Sequence, residues 1–526
     1  MRRYLSSFGI VAGLLAMLVF ASGCDLTEMN DNPNATATAN LDALLANAHR
    51  DISNNFYDDE YMMRGSNLLA QYTTQNFYPS ESTYSALQRP WGTAGLLSNS
   101  GPYSSLADLE SVRSVAENPE GANVTLSEDQ YLPNYEAVSL ITQTFVFHRL
   151  TDFYGDIPYA EALQGEENFS PAYTPQEEIY PAMIDSLDNA IADIDVDETG
   201  PSGDQLYGGD MEKWVKFANS LKLRIAMRMV DQDPNGVATA VLGDPAVYDA
   251  AMQSIDDNAT FDFTTSAEHR SDIYENRFVD GRDDFDASDR FVNALMQYPV
   301  NDPRISTFFT ETEDGTYRGF PFGLQQADAQ ALYSSFNTEY FSRPNERLVK
   351  ADAQAMWMNY DEVLFIRAEA ADRGLISGDP VDLLEDAVRA SVRWWEPSGG
   401  VDPAQVDSYI SEIRGDASSD FTQTLGEQKW IALYFQGLQG WSEWRRLDFE
   451  GWIQPPTGGN QGAYAQSGES GVPLRIDYPS SEQSVNRGNL TDAVGRQFGG
   501  EGLTADTPLQ RLWWDVNAPP ADALAE

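Results

Sequence analysis

Apolar residues in this chain return every three or four positions over long stretches, and a chain patterned that way folds into packed amphipathic helices. Residues 212–230 place Trp214, Phe217, Leu221, Ile225 and Met229 on one helical face. Residues 183–194 do the same with Ile184, Leu187, Ile191 and Ile194. Residues 360–373 carry Val363, Ile366 and Ala370 on one stripe and stop at Gly374, a C′ glycine. The stretches 383–394 and 421–444 read as two more helices, and the small residues Ala368, Ala370 and Ala371 permit close helix–helix approach. No sustained β alternation with regular turn signals is present, so the body is expected to be mainly α. Helix pairs of this length suggest tetratricopeptide-like packing, although no clean repeat of about 34 residues runs through the chain. Residues 231–350 and 451–471 break the pattern with Asp, Phe, Tyr, Gly and Pro. Loops of that kind on a helical scaffold are where binding groups sit.

The N-terminus names a compartment. Arg2 and Arg3 precede an apolar run from Phe8 to Phe20, then Ala21, Ser22, Gly23 and Cys24. This is the plan of a secretory signal, and the run is too short to span a bilayer. Cys24 is the single cysteine, so no intramolecular disulfide and no thiolate metal site can form. Its place directly after small residues resembles a bacterial lipobox, with Ala21 where leucine is usual. The expected organisation is a leader over 1–23, a lipidated polar tether over 24–40 and one body over 41–526, with 231–350 as a loop-rich insertion. The membrane is then reached through the lipid anchor alone.

Charge excludes several function classes. Lys and Arg number 33 against 82 Asp and Glu, a formal net charge of −49. A surface this negative repels phosphate backbones, which argues against nucleic-acid binding. The five lysines leave nearly all positive charge to arginine, and an acid excess on this scale is tolerable where salt shortens the Debye length to about 3 Å. Exposure to brine is therefore expected. His49, His148 and His269 lie far apart and no HExxH pair exists, so zinc-hydrolase chemistry has no motif.

Other motifs fail instructively. Asp231, Asp233, Asn235 and Gly236 match the first half of a calcium loop, but its twelfth position is Leu242 rather than Glu; a Pro-Asn-Gly turn is the better reading. Asp284 and Asp286 lack both the glycine and the distal glutamate. No Walker A loop, no GxGxxG and no GxSxG elbow is present, so no catalytic residue, metal or cofactor is assigned. Carboxylate pairs suited to glycoside hydrolysis are unspecific among so many acids. Aromatics say more, because an indole or phenol ring can stack on a sugar face while nearby amides bind its hydroxyls. Trp214, Trp430 and Trp444 fall inside helical patterns and read as packing. Trp91 differs: it follows Arg89 and Pro90, with Gln75, Asn76, Tyr78 and Tyr84 upstream. Tyr274, Asn276, Tyr317 and Phe322 are further candidates in the irregular middle.

Six segments in order resemble the SusD/RagB family of surface nutrient-binding lipoproteins. They are the opening after Cys24 with Asn32, Pro33 and Asn34; residues 152–159 (DFYGDIPY); 360–371 (YDEVLFIRAEAA); 428–446, with Gln436, Gly437, Trp441, Glu443, Trp444, Arg445 and Arg446; 473–479 (PLRIDYP) with Glu482 and Asn486; and Trp513, Trp514 and Asp515 near the end. The resemblance implies a scaffold of tetratricopeptide-like helix pairs with long loops and short helices packed on one side. It also implies a non-enzymatic protein that captures oligosaccharides or peptides and acts as lid for a SusC-like TonB-dependent outer-membrane transporter. The signature residues read as scaffold: Gly155 permits a positive φ at a helix exit, and Arg445 and Arg446 are expected to pair with carboxylates. A surface glycoside hydrolase and a structural lipoprotein without its own ligand stay open as alternatives.

Overall fold

The computed structural model of the chain describes residues 40–524 apart from 87–100, 122–125, 128–129, 234, 337–338, 397–399, 461–470 and 501. Twelve helices position everything that follows: α1 (Leu41–Phe56), α2 (Pro102–Glu117), α3 (Leu132–Tyr154), α4 (Gln176–Asp193), α5 (Met211–Met229), α6 (Gln326–Ser335), α7 (Tyr360–Asp372), α8 (Pro380–Trp395), α9 (Pro403–Ser419), α10 (Phe421–Ala432), α11 (Gly437–Leu447) and α12 (Arg487–Phe498). Consecutive members of α1–α5 and of α7–α11 pack on one another, and α5 packs on α7 to join the two runs. This is the mainly α, tetratricopeptide-like scaffold of helix pairs.

Strands are short and paired in twos: β1 (Thr73–Gln75) with β5 (Phe285–Ala287), β2 (Ile157–Pro158) with β3 (Tyr173–Thr174), and β4 (Ala259–Asp262) with β6 (Gln354–Met358), all antiparallel. One continuous apolar core runs from Leu45 to Ala523, and a second lies under α7–α10 around Phe365, Leu384, Tyr409 and Leu425.

The helices form where capping and spacing direct them. Asp210 caps α5, and Asp379 and Asp402 cap α8 and α9, each followed by a proline at the first helical position. Gly374 takes φ +72° just past α7, as its position required. The expected helix over 421–444 is instead two, α10 and α11, with Phe435 at φ +64° in the break. At the start of α11 a Cβ on Gly437 would collide with the backbone of Ser66 and Asn67, so glycine there admits that segment. The helix expected from 183 begins at Gln176 and carries Pro181 inside, at the loss of one backbone hydrogen bond.

The family-like segments meet in a buried ion network. Glu443 of α11 pairs with Arg228 of α5 (3.0 Å), Lys429 of α10 (3.0 Å) and Arg446 (2.6 Å). Arg446 also grips Glu369 of α7 through both terminal nitrogens, at 2.5 and 2.6 Å. Arg228 reaches Asp152 of α3 at 3.2 Å, and Asp152 accepts the Tyr180 hydroxyl of α4 at 2.5 Å. Burial alone would push the Glu443 carboxyl up, but Arg446, Lys429 and Arg228 outweigh it and hold it well below the usual range. Arg445 departs from expectation. Among the described residues it makes no direct ion pair, although the Asp152 and Asp515 charges act on it; its guanidinium donates to the carbonyls of Asp152 (3.1 Å) and Leu474 (2.9 Å) and lies 3.5 Å from the Trp441 ring centre. Arg475 donates to Asp506 and to the Tyr154 carbonyl, fastening the 473–479 segment to the end of α3. Gly155 ends α3 at φ +93°.

Candidate functional site

Parts of the irregular segments meet: residues 454–458 bond to Arg290, Phe322, Gly323 and Gln325. β1 pairs with β5 in the register Thr73↔Ala287 to Gln75↔Phe285, which sets residues 71–86 beside 282–290. The loop after β1 is built by Gln75: its Oε1 accepts from the backbone of Glu81 and Ser82, and its Nε2 donates to the Glu81 carboxylate at 2.7 Å. Burial pushes that carboxyl up, yet hydrogen bonds from Ser80, Arg64 and Gln75 win and hold it below its ordinary value. Asn76 donates from its side chain to the Asp283 carbonyl at 3.0 Å. Tyr84, at φ +58°, accepts from Gln71 at 3.0 Å and sits 6.0 Å from the ring of Phe322.

Four sequence candidates thus form the floor of this face. Gln75, Asn76, Tyr84 and Phe322 are all buried; apart from the Asn76 Oδ1, which accepts no hydrogen bond among the described residues, their side-chain polar groups are engaged within the chain. Tyr78 is the exception at 51% exposed, resting edge-on against Phe77 at 4.8 Å. Phe77 in turn meets Tyr333 of α6 at 5.8 Å. Phe336, just past α6, is 39% exposed and stacks on Tyr340 at 3.9 Å and 19°, with the Arg318 guanidinium 4.1 Å from the Tyr340 ring centre. Tyr333 and Tyr340 pack on a small cluster with Phe320, Ala329 and Phe341, which supports two ring groups, Tyr78 with Phe77 and Tyr333, and Phe336 with Tyr340. Phe77, Tyr333, Phe336, Tyr340 and Arg318 were not singled out by the sequence reading. The signal available was the aromatic spacing 333, 336, 340 and 341 in a stretch with no core periodicity.

The remaining candidates lie elsewhere. Tyr274 is half-buried against Phe278 at 5.1 Å, Asn276 donates to Asp59 at 3.1 Å, and Tyr317 packs on the main core. Arg89 and Trp91 lie outside the described residues, as does Cys24. The half-calcium motif is used internally: Asp231 pairs with Arg373 at 2.7 Å and Asp233 accepts from the Ala238 backbone at 3.0 Å. Among the described residues no cluster of His, Cys, Asp and Glu could hold a metal, and no helix is long and apolar enough to cross a membrane.

Acids beside the face hold protons unusually well. Burial and then repulsion from Asp272 push Asp59 up to about 7, and burial pushes Asp286 up to about 7. Asp286 is buried against Arg343 at 3.2 Å and Asp59 accepts from Asn276, so these acids support the loops, while the exposed rings Tyr78 and Phe336 are the groups that can stack on flat, partly apolar ligands.

The sequence profile of the SusD-like family, described as starch-binding and associating with the outer membrane, matches residues 33–479. The chain belongs to that family. Among solved structures, a chitin-binding protein superposes on it with a TM-score of 0.73 at 23% identity, covering 91% of this chain and 100% of its own. A SusD homologue from Bacteroides uniformis gives 0.73 and 23%, covering 90% and 99%. A chitin-binding SusD homologue from Flavobacterium johnsoniae gives 0.67 and 23%, with the same coverage of 90% and 99%. At these identities the likeness is one of fold. No curated protein matches by sequence. SusD-like proteins are carbohydrate-binding proteins of the outer-membrane surface and are generally not enzymes.

Proposed function

We propose that this SusD-like protein is a non-catalytic capture protein, anchored through Cys24, that takes oligosaccharides on its aromatic face and closes over a SusC-like TonB-dependent transporter. The leader 1–23, the tether 24–40 and a single body over 41–526 are part of the same reading. The observation that carries it is the two ring groups, Tyr78 with Phe77 and Tyr333, and Phe336 with Tyr340, on one small cluster, open at Tyr78 and Phe336, in a member of a family described as starch-binding. Arg89 and Trp91, which follow Ala86 of this face in the chain, belong to the proposal as further contacts. Two solved neighbours bind chitin, so chito-oligosaccharides stand beside malto-oligosaccharides as the first cargo to try.

The test is calorimetry on residues 25–526 in high salt with both sugar series, with chromatography of the sugar afterwards. Saturable binding without product, weakened by about 1–3 kcal/mol in Tyr78→Ala and in Trp91→Ala, is the expected result. Product release would make the protein a hydrolase. Absence of saturable heat, with copurification of a barrel transporter, would leave a structural lipoprotein.

A further inference from the structure

A second cleft, of about 450 Å³, opens where the C-terminal segment crosses the scaffold. Glu177 at the start of α4, Gln232 after α5, Arg496 near the end of α12, and Arg511, Trp513 and Asp515 line it, and no ring of the aromatic face does. Its polar groups sort into two sets. Arg496 is held by Asp156 and the Tyr173 carbonyl, Gln232 by the Trp513 carbonyl, and Arg511 by the carbonyls of Val516 and Asn517. The others are free among the described residues: the carboxylates of Asp515 and Glu177 and the indole N–H of Trp513 make no side-chain hydrogen bond or ion pair.

Asp515 is the telling member. It is only 5% exposed and its carboxylate makes no hydrogen bond among the described residues; Arg445 and Arg511 act on it through charge alone, so its hydrogen-bonding capacity is open to a bound hydroxyl. Beside it the half-buried Trp513 ring is backed by Tyr180 at 5.8 Å. A stacking ring next to unengaged acceptors and one donor, in a cleft of this volume, is the composition of a small polar-ligand site.

We infer that this cleft is a second saccharide-binding site, separate from the aromatic face, in which Trp513 stacks on a pyranose ring and Asp515 and Glu177 accept its hydroxyls. Glu177 and Asp515 share the lining with Arg496 and Arg511, so the cleft carries no large excess of either charge and suits a neutral sugar. The inference rests on the saccharide reading above.

Fluorine NMR of protein labelled with 5-fluorotryptophan tests it, the Trp513 resonance being assigned with Trp513→Phe. Chitohexaose and maltohexaose are the probes. The Trp513 signal should shift saturably with one of them and still do so in Tyr78→Ala. Asp515→Asn, which keeps the shape, should weaken that transition roughly tenfold through loss of charge-assisted hydrogen bonds, with binding at the Tyr78 face unchanged. A Trp513 signal that stays fixed while calorimetry shows binding abolished by Tyr78→Ala would overturn the second site and leave the first. Neither heat nor shift with either sugar would defeat the saccharide reading, and this site with it.

Discussion

Adjacent residues in this protein have opposite solutions to the same problem. Arg446 is buried and neutralised by two glutamates, whereas its neighbour Arg445 is buried on carbonyls and indole rings with no direct ion pair among the described residues. Chemistry alone does not separate them, since a side chain's partner depends on which face of α11 it occupies. Glu443 is the member of the network that touches three cations. Glu443→Gln should therefore cost about 3–5 kcal/mol, because three buried charges lose their common counterion, and a lowered denaturant midpoint would register it. The aromatic candidates divide similarly by burial. Phe322→Ala should destabilise by about 3–5 kcal/mol as a fully buried ring, while Tyr78→Ala should stay within about 0.5 kcal/mol and act on ligand affinity instead. Equal melting temperatures for the two variants would contradict that division.

Element legibility followed amphipathicity. Helices with one apolar face, α5 and α8 among them, were readable within a few residues from spacing alone. α3 was not: it is buried on all sides, as much of α5 is, but its apolar residues are spread around the helix, whereas α5 keeps Lys213 and Lys216 off its apolar face. Its polar residues are accommodated locally, Thr142 and Thr144 donating to carbonyls four residues back at 2.8 Å, and through the ion network at Asp152. The break between α10 and α11 was equally hidden, because apolar spacing continues across it, while Phe435 takes φ +64° and Ser66 and Asn67 press on Gly437. Gly437→Ala should consequently destabilise by about 1–3 kcal/mol through forced displacement of backbone, despite alanine's better helix propensity. A thermal melt showing stabilisation would refute this account of the contact.

Across the whole molecule, the acid excess and the buried carboxyls act together. Burial is the leading cause that pushes Asp59, Asp286, Asp361, Asp448 and Asp515 up to about 7. Between the unfolded value of 3.8 and about 7 the folded protein binds more protons than the unfolded chain, so stability falls as pH rises through that window. Glu443, Glu369 and Asp152 are held low by their cations and act oppositely, their contribution being lost as pH falls below about 4. Melting temperature should thus be higher near about pH 5.5 than near about pH 8, and a flat profile would contradict it. Self-repulsion at −49 adds a second expectation, that stability rises steeply with salt toward about 1 M; full stability in dilute buffer would dismiss the brine reading.

Periodicity and composition determined the mainly α body, and six ordered segments were enough to place it in its family, because local spacing and backbone-specific residues such as Gly155 and Gly374 act within a few positions of themselves. The loop-rich stretch was legible as a break in the helical pattern, and its role in meeting a ligand belongs to the proposal. Which rings reach solvent there was not legible. Gln75, Asn76, Tyr84 and Phe322 turned inward and Tyr78 outward because β1 pairs with β5 and α6 packs over the loop, contacts between residues some 200 positions apart. Exposure is a property of the assembled surface, and only the tertiary structure decides it.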